Sequence, residues 1–99
     1  MRAYMIGYDL NRPGQDYADL IDAIKRISGG SWWHCLDSTW IIMTNLNAVQ
    51  IRDELWQHMD RNDELLVAGL TGEAVWNGFN DQCSNWLLRS LNSIQSSRV

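Results

Sequence analysis

The sequence predicts an α+β domain whose segments run strand, helix, strand, strand, helix, strand, with one more helix appended. Three observations carry that expectation. A short apolar run, Ala3 to Leu10, stops at an acid and a chain-breaking Asn11-Arg12-Pro13-Gly14. Apolar residues then recur with the spacing of one helical face at Tyr17, Leu20, Ile21, Ile24 and Ile27. Two aromatic and β-branched runs, Trp32 to Leu36 and Thr39 to Thr44, flank a two-residue turn at Asp37-Ser38.

The first strand sets Tyr4, Ile6 and Tyr8 against Met5 and Gly7 and delivers Asp9 at its carboxyl end. The helix after it has Asp16 placed as its cap, Asp19 and Asp22 near its start and Lys25 and Arg26 near its end, which suits the macrodipole. Gly29-Gly30 stops it. In the hairpin, alternation puts Trp32, His34 and Leu36 on one side and Trp33 and Cys35 on the other, and Trp40-Ile41-Ile42-Met43 is apolar on both. A sheet with one wet face alternates more strictly. The second face is therefore expected to pack against something, and another copy of the chain is the simplest cover.

Asn47 with Gln50 forms the capping box of a second helix whose stripe is Ala48, Ile51, Leu55 and Met59. Asp60 to Glu64 reads as a polar turn, and Glu64 to Leu70 as a fourth strand. Trp76-Asn77-Gly78-Phe79 reads as a turn or short edge segment. Trp86, Leu87 and Leu91 mark a last amphipathic helix beginning near Asp81. This order is that of the ferredoxin-like split βαβ arrangement, an antiparallel sheet with both main helices on one face. One domain spans residues 1–99, with its core over about 2–72 and an extension over about 73–99.

Composition narrows the partners. The chain of 99 residues has a formal charge of -4 and only eight Lys and Arg, so no basic face for long nucleic acid stands out. The longest apolar runs are too short to span a membrane, no leader pattern precedes the first strand, and a cytoplasmic protein is expected. Cys35 and Cys83 lack metal spacing and are expected to be reduced, with Cys35 buried. Six tryptophans exceed what so small a core hides, and exposed aromatic area marks interfaces or stacking sites.

The Tyr8-Asp9-Leu10 motif after an apolar strand, together with element order and length, resembles the CRISPR-associated Cas-two family and its VapD-type toxin relatives. The run Tyr4-Met-Ile-Gly-Tyr-Asp-Leu-Asn-Arg-Pro-Gly and the later Ser31-Trp-Trp-His-Cys-Leu-Asp-Ser-Thr-Trp look closer still to small bacterial and phage proteins called SinR-like. The resemblance covers residues 3–79. It implies a ferredoxin-like homodimer in which Asp9 and its mate from the second subunit hold a divalent metal, Mg²⁺. Arg12 is the lone nearby arginine where nuclease members carry several, and Trp32-Trp33-His34 replaces a Gln-Ser-rich segment.

Asp9 is thus the candidate catalytic and metal-binding residue, because hard cations favour carboxylate oxygens. As an ordinary strand end it would cap the following turn. Tyr8, Arg12, Trp33, His34, Asp37 and Ser38 are the candidate ligand-binding residues around it. His34 reads first as a partly buried structural histidine and second as a base or phosphate ligand. Asp37 and Ser38 fit the hairpin turn on its own terms. One of Trp32 and Trp33 must leave the main core, for dimer packing or for stacking on a base.

Three functions follow as expectations. The first is a dimeric accessory protein contacting nucleic acid, a nucleotide or a protein partner. The second is a Mg²⁺-dependent phosphodiesterase, an endoribonuclease or DNase with the Asp9 pair at the dimer seam. The third is a phage protein that sequesters a small nucleotide signal.

Overall fold

The computed structural model describes residues 1–12 and 17–95, with side chains described up to residue 91. Seven elements follow the expected order: β1 (Arg2–Asp9), α1 (Ala18–Ile27), β2 (Trp32–Leu36), β3 (Thr39–Thr44), α2 (Ala48–Trp56), β4 (Glu64–Gly69) and α3 (Asp81–Gln95). The strands form one sheet in the order β2-β3-β1-β4, and every neighbouring pair is antiparallel. The chain is an α+β domain with a four-stranded antiparallel sheet and three helices.

Each local signal has a physical counterpart. The expected cap of α1, Asp16, lies outside the described residues. Tyr17 occupies the N-cap position instead, in the left-handed region at φ 51°. Gly29 and Gly30 end the helix with φ of 61° and 92°, a conformation that costs glycine little. The box of α2 forms as written: Gln50 N donates to Asn47 Oδ1 at 2.8 Å, and Asn47 N donates to Gln50 Oε1 at 2.9 Å. Asn80 Oδ1 accepts from Cys83 N at 2.8 Å and starts α3 in the same way.

Two cores lie on opposite sides of the sheet. On the side of α1 and α2, Tyr4, Ile6, Leu20, Ile24, Trp40, Ile42, Ile51 and Leu55 are buried together. On the other side, Leu87 and Leu91 of α3 bury Ala3, Trp33 and Met43, with Trp76, Phe79 and Trp86 packed around them. The second face is therefore covered by the chain's own C-terminal segment, which removes the packing rationale for a twin subunit. The 76–79 segment, expected as a turn or short edge segment, forms no strand and packs Trp76 and Phe79 into that cover.

The cysteines also differ from expectation. Cys35 of β2 and Cys83 of α3 form a disulfide that ties the cover to the sheet, and Cys35 is half-buried rather than buried. Leu36 departs from simple alternation as well. A register shift between Trp33 and Leu36 lets Leu36 pair with Thr39, so it joins the Trp33 face instead of flanking His34.

Candidate functional site

The residues singled out in the sequence come to three places at one end of the sheet. The first is an aromatic ladder on the α1 side. Trp40 is buried from β3, and its Nε1 donates to Tyr8 Oη of β1 at 2.9 Å. His34 of β2 stacks on Trp40 with ring centroids 3.9 Å apart and planes 16° off parallel. Trp32 leans on the same ring at 5.2 Å, and Lys25 Nζ sits 5.0 Å over Trp32. The hairpin turn closes the ladder: His34 Nε2 lies 2.8 Å from the Asp37 carbonyl oxygen, and Tyr8 N donates to the Ser38 carbonyl oxygen at 3.1 Å. A carbonyl only accepts, so Nε2 carries the proton there. Tyr8, His34, Asp37 and Ser38 thus meet, and their hydrogen bonds are spent on holding the hairpin.

The second place is a polar corner beyond the end of β1. Asp9 is exposed and faces Glu64 across the β1–β4 ladder. Glu64 Oε1 accepts from Asn11 Nδ2 at 3.3 Å. Arg12 pairs loosely with Asp60 at 3.7 Å rather than turning towards Asp9. The centre of this corner is Asp63, a buried carboxylate that the sequence reading treated as part of a polar turn. It accepts from Asn11 N, Tyr17 Oη and Asp60 N, each at 2.7 Å. Burial alone would raise its pKa. The backbone N–H groups of Asn11 and Asp60 and the Tyr17 hydroxyl outweigh that cost and hold it below the ordinary carboxylate value. Tyr17 moves the other way, raised by burial and then by its bond to Asp63 and that group's charge.

These donors do not make a metal centre. Asp63 already accepts three hydrogen bonds, Asp9 has Glu64 as its sole carboxylate neighbour across the ladder, and no group of three His, Cys, Asp or Glu among the described residues is arranged to hold an ion. Within one chain the residues do not fit the Mg²⁺ that the Cas-two resemblance implies.

The third place is on the α3 side, where Trp33 is buried and its Nε1 donates to the Cys83 carbonyl oxygen at 3.2 Å. Register shows how far the cover extends. The row Met43–Ala3 is buried beneath α3, and the next row, Ile41–Met5–Ala68, is half-buried. The row after that, Leu36–Thr39–Gly7–Leu66, lies beyond the helix. Leu36 is 49% exposed, Leu66 is 58% exposed, and a Cβ added to Gly7 would meet nothing within 4 Å. Between these rows and the 70–79 segment opens a groove of about 400 Å³ whose walls include Met5, Trp33, Ile41, Trp76 and Phe79. Val75, 96% exposed, stands at its rim. The sequence reading missed this groove, although the apolar Leu70, Val75, Trp76 and Phe79 after the last strand were its signal.

No protein-family model, curated protein or solved structure matches the chain. Among the described residues, no helix is long and apolar enough to cross a membrane.

Proposed function

We propose that the chain is a binding protein that takes a protein partner on the uncovered end of its sheet. The observation that carries this reading is the bare row Leu36–Thr39–Gly7–Leu66 beside the apolar groove. Leu36 and Leu66 are exposed at the two ends of that row, with Thr39 and Gly7 half-buried between them, and exposed apolar side chains beside a formed concavity mark an interaction site. The sheet order supports placing the fold in the ferredoxin-like split βαβ class, because β3 lies between β1 and β2 and β4 flanks β1.

The other expectations find less support. A phosphodiesterase centred on Asp9 needs a second carboxylate from another subunit, and α3 already buries Ala3, Trp33 and Met43, the apolar surface that called for such a subunit. A nucleotide site built on tryptophan stacking needs a free ring. Trp33 and Trp40 are buried, and Trp32 is packed against Trp40 and Lys25, so none of the tryptophans of the hairpin offers one. The exposed indole is Trp56, at the end of α2 and outside the aromatic ladder of His34. The disulfide fits an oxidising compartment better than a cytoplasmic one.

Site-specific photo-cross-linking tests the proposal. A photoreactive residue at Leu66 or Leu36 is compared in the native host with one at Val49, an exposed position on α2. The expected result is a discrete protein adduct from the two sheet positions and none from Val49. Adducts to nucleic acid, or equal adducts from all three positions, would overturn the reading.

A further inference from the structure

The geometry points to a protein segment with an apolar centre and lysine or arginine flanks as the occupant of the groove and its bare row, an inference that rests on the binding reading above. The groove walls ask for apolar side chains. Both indoles that line it have already committed their donors, Trp33 Nε1 to the Cys83 carbonyl oxygen and Trp76 Nε1 to Ser84 Oγ, each at 3.2 Å. A ligand rich in hydrogen-bonding groups would lose water contacts there without replacement.

The rim asks for cations. Glu73 lines the groove, Asp9 and Glu64 form the register row just past Gly7 and Leu66, and Asp37 sits in the turn between Leu36 and Thr39. All four carboxylates are exposed, and none is ion-paired among the described residues. No Lys or Arg among the described residues lines the groove. A second copy would set the same four acids against themselves, and a nucleic acid would bring phosphates to them. Opposite charge at a rim favours encounter and rejects wrong partners. The cover of α3, the bare row and the acidic border thus agree on one occupant chemistry.

Short synthetic peptides with a leucine–phenylalanine centre and flanks of lysine, serine or glutamate test this. Binding is read from tryptophan fluorescence, since Trp33 and Trp76 line the groove. The lysine-flanked peptide should bind at least about tenfold more tightly than the serine-flanked one, with the margin shrinking as salt is raised. Gly7→Phe, placed in open space, should block every peptide, and Glu73→Lys with Asp9→Lys should reverse the charge preference. Equal affinities that Gly7→Phe still blocks would sink the charge inference and leave the binding reading standing. No binding by any peptide, or binding that Gly7→Phe leaves untouched, would sink both. A two-chain mass that falls to one chain in Leu66→Lys would assign the face to a second copy. Displacement of the lysine peptide by single-stranded RNA would assign it to nucleic acid. Either of those last results overturns the inference.

Discussion

Among the described residues, the most connected carboxylate is Asp63, two of whose partners, Tyr17 and Asn11, lie 46 and 52 residues away. It fixes the exit of β1, the left-handed entry to α1 and the turn before β4 at one point. Replacing it with alanine strands three donors and should cost about 2–4 kcal/mol in denaturant unfolding. The pair also sets a pH window. Asp63 has its pKa lowered on folding, so its contribution is complete above the ordinary value of 3.8 and lost as pH falls through the lower folded value. Tyr17 has its pKa raised, so its contribution is complete below 10.0 and lost as pH rises through the higher folded value. Thermal unfolding across pH should therefore show Asp63→Asn flattening the acid limb and Tyr17→Phe the alkaline one. Unchanged limbs would remove the linkage. Gly7 gives the opposite kind of test. Valine there enters open space in a strand and should stabilise the fold by about 0.5–1 kcal/mol. Asp9 is legible from sequence because a strand end is a local event. Asp63 is not, because its role is made by backbone groups that only the fold brings near.

At the scale of elements, the helices and strands were legible wherever their cause is short-range. The capping box at Asn47 and Gln50, the paired glycines after Ile27 and the Asp37-Ser38 turn each act within a few residues. What alternation missed is the register shift after Trp33, which moves Leu36 across the sheet and widens the bare row. It also missed the tie between β2 and α3. Two cysteines 48 residues apart carry no spacing signal, and their pairing follows only once α3 lies over Trp33 and Met43. Closing a loop of that length is worth about 4 kcal/mol in the chain-entropy picture. Cys83→Ser should therefore lower unfolding stability by about 2–4 kcal/mol, measured by denaturation with and without reductant. A reductant effect that persists in the Cys83→Ser chain would place the sensitivity elsewhere.

Among the described residues, the sheet is clothed on both faces by the chain's own helices, except at one end of the α3 side. Apolar residues on both faces of the hairpin correctly announce a covered second face. They do not say who covers it, because the burial of Trp33 and Met43 is satisfied equally by a neighbour or by a C-terminal helix. Asp9 at the strand end and Asp37 in the hairpin turn, both singled out from sequence, border the uncovered end, whereas the groove depends on contacts between β2 and the 70–79 segment that no local pattern announces. Backbone amide chemical-shift mapping with the lysine-flanked peptide reads out where a partner sits. Perturbations should cluster at Met5, Gly7, Thr39, Leu66 and Val75, with α2 silent. Shifts centred on α2 or on the far end of the sheet around Arg2 and Thr44 would contradict binding at the uncovered end.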